Sequence, residues 1–147
     1  MRLVIASDHG GIHLKKALVE LLVKEGHHVE DLGANGEESV DYPDYAHALA
    51  KALLGTPGDG KTFERGILVC GSGVGMSIAA NRHAGIRAVV CSETYSAKMS
   101  RQHNDANVLC LGERVVGPGL AWDIVSVWLR EETEQGRHAK RREKIEG

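Results

Sequence analysis

Aromatic side chains make up only 4% of the 147 residues, so a core must be assembled mainly from Val, Ile, Leu and Ala. Cysteine is also scarce. The three thiols, Cys70, Cys91 and Cys110, are odd in number and widely spaced, and no CxxC pair occurs. That pattern argues against a disulfide framework and for a reducing compartment. Net charge is nearly absent: 18 Lys and Arg stand against 20 Asp and Glu, a balance of -2. No global basic field therefore points to a nucleic-acid partner. No apolar run approaches the roughly 18 residues of a membrane span. The amino terminus reaches Asp8 too soon for a secretory signal. A cytoplasmic protein without a membrane or nucleic-acid partner is expected.

What is present suits one domain over residues 1–147, long enough to bury roughly 70% of its unfolded surface. Short apolar runs alternate with helical periods. Strands are expected at Leu3–Ala6, His28–Leu32, Gly66–Cys70, Ile86–Cys91 and Asn107–Leu111. Helices are expected at about Gly11–Glu25, Pro43–Leu54, Val74–Arg82, Thr94–His103 and Leu120–Glu132, with a charged helical tail over Arg137–Ile145. Strands separated by helices read as βαβ units. The fold class is α/β, a five-stranded parallel sheet with helices on both faces. Ligands in such folds sit beyond the carboxyl ends of strands.

Gly55–Thr62 matches the phosphate-loop pattern GxxxxGK[ST], but a helix precedes it and a strand follows. That order is reversed for nucleotide binding, and a surface loop is the better reading. Cys70-Gly71-Ser72-Gly73-Val74-Gly75 does lie between a strand and a helix. It reads either as a tight turn after an inert thiol, or as a thiolate beside amides that hold an oxyanion. Asp8-His9-Gly10-Gly11 joins another strand to a helix, where Asp8 suits a cap. His9 and His13, four apart, lack an evident third ligand, so no metal is expected there. His103–Asn107 is a polar turn whose His could exchange protons near neutral pH. Arg137, Lys140, Arg141 and Lys144 share one helical face, as a solvated basic tail or as a phosphate clamp.

Taken in order, these pieces resemble a known family. Ser7–Gly11, Asp41-Tyr42-Pro43, Gly66–Gly75, Ser77–Asn81, Gly85–Ala88, Ser100–Asp105, Gly112–Gly117 and Gly136-Arg137-His138 are similar to ribose-5-phosphate isomerase type B, in the family that includes galactose-6-phosphate isomerase. The resemblance implies a Rossmann-like, three-layer α/β/α domain. It also implies a homodimer, in some members a tetramer, with active sites at the subunit interface. The implied reaction is aldose–ketose isomerisation of ribose 5-phosphate and ribulose 5-phosphate through a cis-enediolate, without metal or cofactor.

By the same resemblance, Cys70 is the base between carbons 1 and 2. Part of the family places a Glu a few residues later, but Gly75 and Met76 stand there. Ser72 and the amides of Gly71, Gly73, Val74 and Gly75 form the anion hole. His103 opens the sugar ring with help from Asp8. His9, Arg137 and Arg141 grip the phosphate, Asn104 and Arg114 make further substrate contacts, and Tyr42 lines the pocket. Alternatives are a hexose-6-phosphate isomerase, acting on allose or galactose 6-phosphate, and a non-catalytic sugar-phosphate-binding subunit.

Overall fold

A computed structural model describes residues 1–56, 58–60 and 62–147. The expected alternation is present. In chain order the elements are β1 (Arg2–Ser7), a 3-10 turn (His9–Gly11), α1 (Ile12–Lys24), β2 (His28–Asp31), α2 (Tyr42–Leu54) and β3 (Arg65–Cys70). Then follow α3 (Val74–Ala80), β4 (Ala88–Val90), α4 (Thr94–Asn104), β5 (Val108–Gly112), α5 (Pro118–Arg130) and α6 (Arg137–Glu143).

The five strands pair in parallel in the order β2-β1-β3-β5-β4. The strand ends differ from expectation by one or two residues. β4 is the largest departure: it keeps only Ala88–Val90, because it lies on the sheet edge and pairs with β5 alone. The Gly55–Thr62 segment does join a helix to a strand, in the order α2 then β3; its Pro57 and Lys61 lie outside the described residues.

Side chains alternate across the sheet with the strand period of two. Leu3, Ile5, Ile67, Val69, Leu109 and Leu111 face α1 and α5, meeting Leu14, Leu18, Leu22, Ile124 and Trp128. Val4, Ala6, Leu68, Cys70, Val108 and Cys110 face α2 and α3, meeting Ala46, Leu49, Met76 and Ala80. This is the Rossmann-like three-layer α/β/α architecture. The scarcity of aromatics is met as anticipated: Trp128 is the one aromatic among the largest fully buried side chains.

The topology also sorts helix ends. Each crossover helix starts at the carboxyl edge of the sheet and runs back to the amino edge. The starts of α1, α2 and α3 therefore gather where β1 and β3 end. The ends of α4 and α5, and α6 beyond them, gather where the strands begin.

Candidate active site

Cys70 ends β3 with its side chain only 5% exposed. The next three residues turn the chain from the sheet into α3. Gly73 makes that turn in the left-handed region, φ 80° and ψ -16°, where a side chain would be strained. A Cβ there would also lie 2.9 Å from Val90 Cγ2 and 3.0 Å from the Leu111 carbonyl carbon. The conformation directs the Gly73 amide at Cys70 Sγ, and it donates a hydrogen bond at 3.0 Å. The other two cysteines are placed differently. Burial, then the Glu93 charge, pushes the Cys91 thiol up to about 12, and burial first pushes the Cys110 thiol up as well.

The surrounding groups come from four chain segments. The loop after β5 is hung on the glycine loop: the Glu113 amide donates to the Cys70 carbonyl at 2.9 Å, and the Arg114 amide to the Gly71 carbonyl at 3.1 Å. The Arg114 side chain then lies over Gly71, where an added Cβ would sit 3.6 Å from its Cδ and 3.7 Å from its Nε. Just after β1 comes Asp8, buried, whose carboxylate accepts from the Gly10 amide at 2.9 Å; it caps the 3-10 turn, whereas α1 itself follows Gly11 without a side-chain cap. A Cβ at Gly10 would lie 3.3 Å from the Gly71 amide, so the two loops are in contact.

His9 Nδ1 accepts the Val40 amide at 3.2 Å. That bond leaves Nε2 as the ring's donor. Tyr42, at the start of α2, lies against Gly75, where a Cβ would meet its ring at 2.7 Å. Ser72 is exposed and accepts the Val74 amide at 3.3 Å. Asp8, His9, Tyr42, Gly71 to Gly75, Cys70 and Arg114 thus share the carboxyl edge.

His103, Asn104, Arg137 and Arg141 do not join them within one chain. The Gly66 amide, at the start of β3, donates to the Asn107 carbonyl at 2.9 Å, and Arg87 Nε donates to the Asn104 carbonyl at 3.1 Å. The α4–β5 turn is therefore on the amino edge, a strand length of about 13 Å from Cys70 by the rise of β3. The carboxyl-end rule does not cover His103, because α4 returns the chain before that residue is reached.

On that far edge the tail packs closely. The His103 and His138 rings stack with centroids 4.0 Å apart and 5° from parallel. Arg137, Lys140, Arg141 and Lys144 line one shallow pocket, as their spacing requires. The linker before α6 is tied down by Asp105, whose carboxylate accepts from Arg101 Nη1 at 2.8 Å and from the Thr133 hydroxyl at 2.9 Å.

His9 and His13 are engaged separately: His13 Nε2 lies 3.8 Å from Glu37 Oε1. Two residues with site-building roles were not anticipated. Glu113 Oε1 accepts the Leu14 amide at 2.5 Å, fastening the Arg114 loop to the start of α1. Lys15, only 2% exposed, donates to Asp31 Oδ1, the Ala34 carbonyl and Asn35 Oδ1, and so holds the loop whose Gly33 carbonyl accepts the Ser7 amide. The position of Glu113 just after a strand end was a usable signal. For Lys15 the helical pattern offered none.

The chain matches the ribose/galactose isomerase family over residues 3–145. It is 53% identical to ribose-5-phosphate isomerase B of Escherichia coli strain K12, covering 98% of this chain and 93% of that one. It is 44% identical to D-erythrulose-4-phosphate isomerase of Pectobacterium atrosepticum, covering 99% and 93%. Among solved structures, ribose-5-phosphate isomerase B of Clostridium thermocellum superimposes with a TM-score of 0.93 at 53% identity, covering 99% and 95%.

Proposed function

Because the chain belongs to the ribose/galactose isomerase family and is a sugar-phosphate isomerase, we propose that it interconverts ribose 5-phosphate and ribulose 5-phosphate, with each site shared between two copies of the chain. The observation that carries the reaction is the Gly73 amide directed at Cys70 Sγ at 3.0 Å. A base held beside backbone amides at a helix start is what proton transfer next to a carbonyl requires.

The step balances without a metal or cofactor. The Cys70 thiolate takes the proton from C2 of the open-chain aldose. The C–H electron pair forms the C1–C2 double bond, and negative charge moves onto O1. The amides of Gly71 to Gly75 and the Ser72 hydroxyl hold that enediolate. A proton passes from O2 to O1, and the Cys70 thiol returns its proton to C1, leaving the ketose carbonyl at C2. His9 Nε2 and Arg114 supply donors to substrate oxygens, and Tyr42 closes one wall.

The His103 part of ring opening and the arginine part of the phosphate grip fall to the second copy, beside Asp8 and His9 of the first. His103, Asn104, Arg137 and Arg141 occupy the amino edge, so the partner's amino edge would complete the carboxyl edge of the first chain. A two-fold dimer makes two such composite sites. Exposed apolar side chains support association: Val74 and Ile78 on α3 are 48% and 59% exposed, and Val90 on the edge strand is 41% exposed. Among the described residues, no helix is long and apolar enough to cross a membrane. Three unpaired, buried cysteines suit a cytoplasmic enzyme.

Mixing two dead variants tests the split. Cys70→Ala and His103→Asn, unfolded together and refolded, would form mixed dimers with one intact site. Activity should return to about a quarter of wild type by random pairing. A mixture as inactive as either parent would overturn the shared site. Comparing kcat/KM for tetrose, pentose and hexose phosphates tests the substrate, and the D-erythrulose-4-phosphate isomerase among the relatives makes the tetrose arm necessary.

A further inference from the structure

The amino edge holds a group of side chains that the isomerisation does not fully use. His103, Glu134 and His138 each offer a ligand atom, and these atoms lie within 4.8 Å of one another. His138 is only 6% exposed, and its Nε2 lies 3.4 Å from Glu134 Oε2. That spacing is long for a charge-assisted hydrogen bond. It equals the separation, about 3.4 Å, that two ligands at zinc bond lengths span across a tetrahedral angle.

We propose that His103, Glu134 and His138 form an inhibitory binding site for a zinc-class divalent ion. Two imidazoles and one carboxylate leave a fourth position open to water. The three residues sit on different supports: His103 on the last turn of α4, Glu134 on the linker and His138 on α6. The supports are fastened together. The Glu134 amide donates to the Gln102 carbonyl at 2.8 Å, and Arg142 Nη1 donates to the His103 and Glu134 carbonyls at 3.3 and 2.9 Å.

The two rings are stacked, so their in-plane lone pairs lie in parallel planes and meet at one ion only after the His103 ring rotates out of the stack. His103 is half-buried, so that rotation turns the ring within a partly open site. The buried His138 ring and Glu134 keep their places.

The neighbourhood also selects the metal. Arg137 and Arg141 carry positive charge beside His138 and oppose a dication. Magnesium and calcium bind through charge and oxygen ligands, so they are disfavoured twice. Zinc and copper(II) form strong bonds to imidazole and tolerate that field. Occupation removes the His103 lone pair, which connects the site to turnover. That connection rests on the ring-opening role of His103; binding does not.

The experiment uses the full-length, metal-free protein with cobalt(II) as a coloured stand-in for zinc. Cobalt should give a visible band of a four- or five-coordinate site at one ion per chain, displaced by zinc and not by magnesium. Zinc should inhibit isomerisation, and a chelator should reverse it. Glu134→Gln should raise the zinc concentration for half-inhibition at least tenfold while metal-free turnover stays within twofold. His138→Gln should abolish the cobalt band. An absent band, a near-ultraviolet thiolate band marking Cys70 as the ligand, or equal zinc inhibition of Glu134→Gln and wild type would overturn the site. Stoichiometric cobalt binding lost in both variants but without inhibition would uphold the site and overturn the role of His103.

Discussion

The Gly73 amide points at Cys70 Sγ from 3.0 Å, and the left-handed turn that aims it leaves no room for a side chain. Sulfur and donor are therefore one device. On the proposed mechanism, Cys70→Ala removes the base and leaves the amides in place. Turnover should fall by about 10²- to 10⁴-fold, the usual contribution of a general base, while KM moves little. Exchange of the C2 hydrogen with solvent deuterium should disappear with it. Steady-state kinetics that leave kcat near wild type would assign the base elsewhere.

Glu113 connects this device to the other side of the carboxyl edge. Its backbone amide holds the Cys70 carbonyl, and its carboxylate holds the Leu14 amide at the start of α1. Glu113→Ala frees one helix-terminal donor, a loss of about 1 kcal/mol, and loosens the loop that carries Arg114. The expected kinetic result is a raised KM with a smaller change in kcat. Glu113→Gln keeps an acceptor oxygen and should restore both values. A Gln variant as impaired as Ala would mean that the charge, not the strap, matters.

Lys15 makes the same point for the core. Its ammonium is fully enclosed by Asp31, Ala34 and Asn35. Lys15→Met fills the stem's volume and leaves those acceptors without their donor, which should destabilise the fold by about 3 kcal/mol. Urea denaturation should show a lower midpoint at an unchanged slope. A midpoint within experimental error of wild type would show that water replaces the ammonium at no cost.

These residues mark where the sequence was legible. Ile67, Leu68 and Val69 form an unbroken apolar run, so β3 and the glycine turn after Cys70 could be read directly. Arg137 and Arg141 could be read as neighbours from their helical spacing. Lys15 sits on an ordinary amphipathic helix, and its three acceptors lie 16 to 20 residues away, so nothing local announced its burial. Glu113 and Leu14 are 99 residues apart. The placement of His103 was legible in principle. Parallel strands with returning helices put His103 at the opposite edge from Cys70, but a list of family residues carries no such geometry.

A last prediction concerns acid. His47 Nδ1 and His83 Nε2 are 2.7 Å apart, joining α2 to the turn after α3. Burial, then the His47 and Lys51 charges, pushes the His83 imidazole below its usual 6.5. The unfolded chain therefore takes up a proton near pH 6.5 that the folded chain still refuses. With more protons bound by the unfolded state, stability rises with pH in that window. The contribution is complete above about pH 6.5 and is lost as pH falls toward the folded value. His27 is pushed down by burial and the amino terminus, and His138 by burial and the His103 charge, so both act with the same sign. Urea midpoints measured from pH 5 to 7.5 should climb for the wild type. His83→Gln, which removes one titrating ring from the pair, should climb less steeply. A wild-type midpoint that is flat or falling over this range would show that the His47–His83 contact does not resist protonation.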